Sequence, residues 1–250
     1  MKILSIGNSF SQDAQRWLHD LAKSDGTDLY CANIYIGGCS LERHCKNIDT
    51  GEKCYEYEIN GAECAEIVSI KEALKMENWD VVTLQQVSQD SGLPASYEPY
   101  FEKLLTFVKS HCKNAKIYIH ATWAYEIDST HNGFKNYDCC QELMCRYIAL
   151  TVNHFAKKYD LGVIPVGEAV QYCRENIKEF DYKNGGLSFN RDGFHLSHLY
   201  GRYLASLVWY AVITGKYPQK CTYVPEDENG IADKNLIELI LKNVGNFLKK

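Results

Sequence analysis

Apolar residues follow two rhythms along this chain. Short, mainly apolar runs, the first being Lys2-Ile3-Leu4-Ser5-Ile6-Gly7, have the pattern of strands buried on both faces in a parallel sheet. After that run Ala14, Trp17, Leu18, Leu21 and Ala22 recur at the i, i+3, i+4, i+7, i+8 spacing of an amphipathic helix. Extended along the chain, the two rhythms predict strands near residues 2–6, 30–36, 80–84, 116–121 and 162–166. They predict helices over 11–23, 66–77, 97–111, 137–159, 167–179, 198–214 and 233–248. Regular alternation of strand and helix implies an α/β fold, a three-layer α/β/α sandwich whose central, mainly parallel sheet has five strands joined by right-handed crossovers. Between residues 40 and 65 the chain turns polar and irregular, with Tyr55-Glu56-Tyr57-Glu58-Ile59 before Asn60-Gly61 reading as one hairpin arm. We expect this stretch to be a flap inserted in a single domain spanning 1–250, near enough to Gly38 to border a substrate pocket.

Composition narrows the partners. With 250 residues, 46% of them hydrophobic, the chain suits one globular domain with a substantial core. A formal net charge of -5 disfavours nucleic acid and anionic membrane surfaces, which select clustered Lys and Arg. No apolar run is long enough for a bilayer span, and Met1 leads straight into the first strand, so a cytoplasmic location is expected. Eleven cysteines, an odd number without a small disulfide framework, fit reduced thiols.

The candidate chemistry lies at two distant places. Ser9, in Gly7-Asn8-Ser9-Phe10-Ser11, falls in a strand-to-helix turn, where the side chain projects at the carboxyl edge of a sheet and backbone N–H groups can meet a developing oxyanion. Asp192-Gly193-Phe194-His195 lies near the other end, before a helix with Ser197 as its expected N-cap. A serine needs a base, and the base needs an orienting acid. Asp192 and His195 can supply both, whereas His198 lacks an acid at that spacing and is expected inside the helix.

These residues resemble the motifs of the SGNH or GDSL hydrolase superfamily of esterases and lipases. Its first block is similar to Gly7-Asn8-Ser9-Phe10-Ser11, with Asn8 where the commonest form has Asp; its second resembles Gly37-Gly38-Cys39-Ser40; its last, Asp-x-x-His, resembles Asp192-Gly193-Phe194-His195. The third block, normally Gly-x-Asn, reads Gln85-Gln86-Val87-Ser88 after Asp80-Val81-Val82-Thr83-Leu84. The resemblance implies a flavodoxin-like SGNH hydrolase fold and a cofactor-free acyl transfer in which Ser9 attacks, His195 carries the proton and Asp192 orients it. It further implies that the Ser9 and Gly38 N–H groups and the Gln86 amide bind the oxyanion, with Gln85 or Ser88 as alternatives to Gln86. Short acyl esters, above all O-acetyl groups on a carbohydrate, are the implied substrates.

Other readings compete. Trp123 and Tyr125, after the fourth strand, suit either a stacking wall for a sugar or plain packing. Cys39, His44, Cys45, Cys54 and Cys64 are metal-ligand types without a paired Cys-x-x-Cys spacing, so no metal is expected; Cys139, Cys140 and Cys145 are expected within a helix. A glycan binder that has lost catalysis is the principal alternative function. A flavodoxin-like cofactor binder is disfavoured, because the first loop has no Gly-rich phosphate cradle.

Overall fold

Ile3, Leu4 and Ile6 of the first apolar run are at most 1% exposed, and the rest of the molecule is arranged around the strand they form. The structure, a computed structural model, describes residues 1–249 apart from the side chains of Glu63 and Ala65. In chain order the elements are β1 (Lys2–Ile6), α1 (Ser9–Gln15), α2 (Leu18–Ser24), β2 (Tyr30–Tyr35), α3 (Leu41–Thr50), β3 (Tyr55–Ile59), β4 (Ala62–Val68) and α4 (Ile70–Met76). There follow β5 (Val81–Leu84), α5 (Tyr100–His111), β6 (Lys116–His120), α6 (Gln141–Tyr159), β7 (Gly162–Ile164), α7 (Val166–Asn176), α8 (Tyr200–Thr214) and α9 (Lys234–Phe247).

Among the described residues the main sheet runs β4-β3-β2-β1-β5-β6-β7. Its five expected strands, β2, β1, β5, β6 and β7, pair in parallel. The chain steps from β1 to β2 on one side and later reaches β5 on the other, so the strand order reverses at the carboxyl end of β1. Ligands of open α/β sheets bind at such a reversal. Ser9 stands there.

Two further strands come from the stretch expected to be a flap. Residues 41–50 are helical, and β3 and β4 form a hairpin that pairs antiparallel with β2, widening the sheet to seven strands. β4 also replaces the start of the expected helix 66–77, which begins only at Ile70 behind a Ser69–Glu72 capping box. The expected helix 11–23 is two helices. At the break the Ser206 hydroxyl of α8 donates to Ala14 O (2.8 Å) and accepts from Trp17 N (3.3 Å), replacing the interrupted helical ladder. Left-handed backbone at Asp138 and Cys139 (φ 55° and 53°) stops α6 from starting before Gln141, which puts Cys139 and Cys140 outside it. α8 likewise starts at Tyr200, beyond His198, while the Ser197 hydroxyl accepts from Gly201 N (2.9 Å). No described helix is long and apolar enough to cross a membrane.

Candidate active site

Ser9 opens α1, and the residue before it sets its position. Asn8 is 1% exposed and caps the helix by accepting from Phe10 N (3.0 Å). Its Nδ2 donates to Cys39 O (3.0 Å), tying the first block to the Gly37-Gly38-Cys39 turn. Its Oδ1 also accepts from Gln85 Nε2 (2.6 Å), and Gln85 Oε1 meets His120 Nδ1 at 2.9 Å. Burial pushes His120 down to about 3, so the ring is neutral and donates from Nδ1. A line of amide and imidazole donors thus fixes Asn8. An aspartate has no N–H to offer Cys39 O, which explains why asparagine stands here. Gly7 has no room for a side chain: a Cβ would lie 2.6 Å from Ser11 Oγ and 2.9 Å from Gln85 Cδ.

His195 and Asp192 reach Ser9 from the far end of the sequence. Ser9 Oγ lies 2.9 Å from His195 Nε2, and His195 Nδ1 lies 2.7 Å from Asp192 Oδ2. Asp192 Oδ1 accepts from the backbone N–H of His195 (2.7 Å) and Phe194 (3.1 Å). Partial burial opposes ionisation of Asp192, but the His195 ring hydrogen bond and these two N–H groups outweigh it and hold the carboxyl below its usual range. An ionised Asp192 therefore keeps the His195 proton on Nδ1 and leaves Nε2 to accept from Ser9.

The loop carrying the pair is anchored by a residue absent from the sequence reading. Asp13, on α1 and fully buried, accepts from Arg191 Nη1 on both oxygens (3.0 Å each), from Arg202 Nε (2.7 Å) and from Leu196 N (2.9 Å). Arg191 also donates to Leu196 O across the loop. Ser9 and the Asp13 anchor sit on one short helix, so Ser9 and His195 are referred to the same frame.

Gly38 has φ 63°, a left-handed value that favours glycine, and lines the pocket at Ser9. Among the described residues neither its N–H nor that of Ser9 has a protein partner. Gln86 does not extend this pair of donors. Its Oε1 accepts from Leu41 N (2.9 Å) and Val87 N (2.8 Å), and its Nε2 donates to Ser96 O (2.9 Å) and Ser96 Oγ (3.1 Å). The amide is spent at both ends on holding loops together. Gln85 is likewise committed, and the Ser88 hydroxyl is 2.7 Å from Tyr125 OH.

Trp123 is not a wall of the pocket. It is fully buried, stacks on Phe10 (centroids 4.2 Å apart, planes at 17°) and donates from Nε1 to Phe194 O (2.7 Å), so it supports the Asp192–His195 loop from behind. Tyr125 is buried too. The pocket itself, about 170 Å³, is lined by Ser9, Gly38, Ser88, Gln89, His131 and His195 among others, and by nothing from 41–68. A larger hollow of about 730 Å³ between α8 and α9 contains none of these groups. Chemistry, rather than volume, marks the site. Of the cysteine and histidine set, Cys39, His44 and Cys45 are buried, with His44 Nδ1 2.8 Å from Tyr55 OH. No described residues cluster as a metal site.

Comparison with solved structures sets this geometry among known folds. A DUF4886 family protein from Bacteroides uniformis ATCC 8492 matches with a TM-score of 0.90 and 34% identity, over 100% of this chain and 95% of the other. A protein from Slackia heliotrinireducens assigned to the SGNH hydrolases matches with a TM-score of 0.56 and 20% identity over 85% and 98% of the two chains. A mutant of an acetyl-xylooligosaccharide esterase from Geobacillus Stearmophilus matches at 0.50 and 11% identity over 86% and 92%. The α/β architecture, with its mostly parallel seven-stranded sheet, is thus shared with SGNH hydrolases. No curated protein sequence matches the chain. The model of a domain of unknown function, DUF4886, matches residues 2–237, nearly the whole length, and the chain belongs to that family.

Proposed function

We propose that the protein is a serine esterase of the SGNH/GDSL type, hydrolysing small acyl esters, foremost O-acetyl groups on a carbohydrate or related molecule, through an acyl-serine intermediate. The observation that carries this reading is the unbroken hydrogen-bonded line Ser9–His195–Asp192 at the strand-order reversal. In the first half-reaction Ser9 Oγ attacks the ester carbonyl as its proton passes to His195 Nε2. Asp192 balances the imidazolium, and the Ser9 and Gly38 N–H groups receive the oxyanion. His195 then protonates the departing alcohol; in the second half-reaction it takes a proton from water as that oxygen attacks the acyl carbon, and returns the proton to Ser9 Oγ as the C–Oγ bond breaks and the acid leaves. No step calls on a cofactor.

Pocket size supports a short acyl group, since cavities for drug-sized ligands run to roughly 300–1,000 Å³. The acetyl-xylooligosaccharide esterase among the structural neighbours supports the same direction. Eleven free cysteines suit a reducing, cytoplasmic setting. The test is hydrolysis of a panel of short-chain aryl and sugar acetates by wild type and Ser9→Ala. Turnover by wild type alone supports the reading; equal rates for the two proteins refute it.

A second reading, a glycan-binding protein with little catalysis, draws on Gln86. With its amide engaged, two backbone donors are left for the oxyanion, and loss of one donor typically costs about 10²–10³ in turnover. Saturable binding of acetylated oligosaccharides without cleavage favours that reading.

A further inference from the structure

A second imidazole lines the Ser9 pocket and takes no part in the hydrogen-bonded line. His131 precedes a 3-10 turn over Asn132–Tyr137 that is fastened to the segment after β5. Asn136 Nδ2 and Tyr137 OH both donate to Gln89 O (3.1 and 3.0 Å), and Gly92 N donates to Tyr137 OH (2.9 Å). The His131 ring packs edge-on against Phe194 and Tyr125, each with its centroid 4.9 Å away, and those two rings touch each other with centroids 5.8 Å apart. Gly133 N donates to His131 Nδ1 (3.0 Å), which leaves the proton of the neutral ring on Nε2. Burial, and then the nearby His195, hold His131 below the usual histidine range, so that neutral form prevails at pH 7. Among the described residues the Nε2–H has no protein partner.

Its place in the pocket assigns it a half of the substrate. Phe194 touches both rings, with centroids 4.2 Å from His195 and 4.9 Å from His131. His195 must deliver its proton to the leaving oxygen, so His131, on the same phenyl ring, flanks the alcohol half of the ester. The acyl oxygen belongs instead with the Ser9 and Gly38 N–H groups. We propose that His131 is a specificity-determining residue whose Nε2–H donates to a hydroxyl or ether oxygen next to the ester on the alcohol portion, selecting sugar or polyol esters over hydrocarbon ones. This rests on the esterase reading above.

The test uses cyclohexyl acetate against cis- and trans-2-hydroxycyclohexyl acetate, substrates that differ by one hydroxyl, each rate normalised to that with hydroxide. For wild type, kcat/KM is expected to favour at least one hydroxylated isomer by about tenfold or more, the scale of one well-made hydrogen bond. His131→Phe is expected to shrink that preference below about threefold, and His131→Gln, which keeps an N–H donor, to restore part of it. The proposal is overturned if wild type shows no preference, if His131→Phe lowers all three substrates alike, or if Gln89→Leu rather than His131→Phe removes the preference. Should His131→Phe not fold, His131→Leu and His131→Asn provide the same contrast. Failure of the esterase reading looks different: wild type turns over none of the esters and Ser9 takes no fluorophosphonate, which overturns both.

Discussion

Replacing Asp13 by alanine removes the common anchor of α1 and the loop that carries Asp192 and His195. The carboxylate is 0% exposed and accepts from two guanidinium groups and the Leu196 N–H, so its loss strands Arg191 and Arg202 as well as a backbone donor. Breaking a buried ion pair by removing one partner costs about 3–5 kcal/mol. Arg191 and Arg202 are 23% and 12% exposed, so water relieves part of the stranded charge and the lower end, about 3 kcal/mol, is appropriate. At roughly 2–4 °C per kcal/mol for a chain of this size, the melting temperature should fall by about 6–12 °C. The catalytic consequence is separate. With the Asp13 anchor of the 191–196 loop gone and the contacts from Trp123 and Glu126 left to place it, His195 Nε2 is held less firmly at 2.9 Å from Ser9 Oγ, and misplacement by about 1 Å can cost 10²-fold in rate. The assay is thermal denaturation together with the rate of fluorophosphonate labelling of Ser9, the latter well below the melting temperature. A variant that melts like wild type, or one that is destabilised yet labels at the wild-type rate, would refute this reasoning.

Three further outcomes follow from the same contacts. Asn8→Asp sets an oxygen against Cys39 O where Nδ2 donated; a loss of about 1–3 kcal/mol is expected at pH 7, shrinking as pH falls and the carboxyl regains a proton to donate, and denaturant titrations at pH 5 and pH 8 check it. For Asp192, whose pKa is depressed by folding, the stabilising contribution is present above the ordinary Asp value of about 3.9 and disappears as pH falls through the lower folded value. The stability gap between wild type and Asp192→Asn should accordingly persist from pH 7 to about pH 5 and close only in strong acid, and a gap that closes near neutrality contradicts the assignment. Trp123→Phe keeps the stack on Phe10 but loses the hydrogen bond to Phe194 O, so stability should drop by about 1 kcal/mol and kcat should fall with KM little changed; a change confined to KM would return Trp123 to the substrate.

The parts of the site legible in the sequence are those whose chemistry is local. Ser9 follows a short, mainly apolar strand, and Asp192 and His195 sit three residues apart, so the spacing alone suggests an acid orienting a base. Long-range contacts leave no such trace. Asp13 reads as an ordinary polar position on an amphipathic helix, because its arginine partners come 178 and 189 residues later. β3 is legible as a hairpin arm but not as a member of the main sheet, since its inward Glu58, 4% exposed, is matched by the Asn33 amide of β2 (2.6 Å) rather than by apolar neighbours. Gln86 misleads in the opposite sense: an amide in the right block is expected to face the oxyanion, but Ser96 and Leu41 claim both of its ends. Trp123 cannot be told from a substrate wall until Phe10 is seen stacked on it. His131 lies in a polar stretch without helical or strand period, and only the docking of the 132–137 turn brings it to the pocket.

The central claim is that Ser9 is an activated nucleophile, and intact-mass analysis after treatment with a fluorophosphonate tests it most directly, on wild type, Ser9→Ala and His195→Ala. The geometry predicts a single adduct on wild type that is missing from both variants. A folded wild type that takes no adduct, or an adduct that persists in Ser9→Ala, would contradict it.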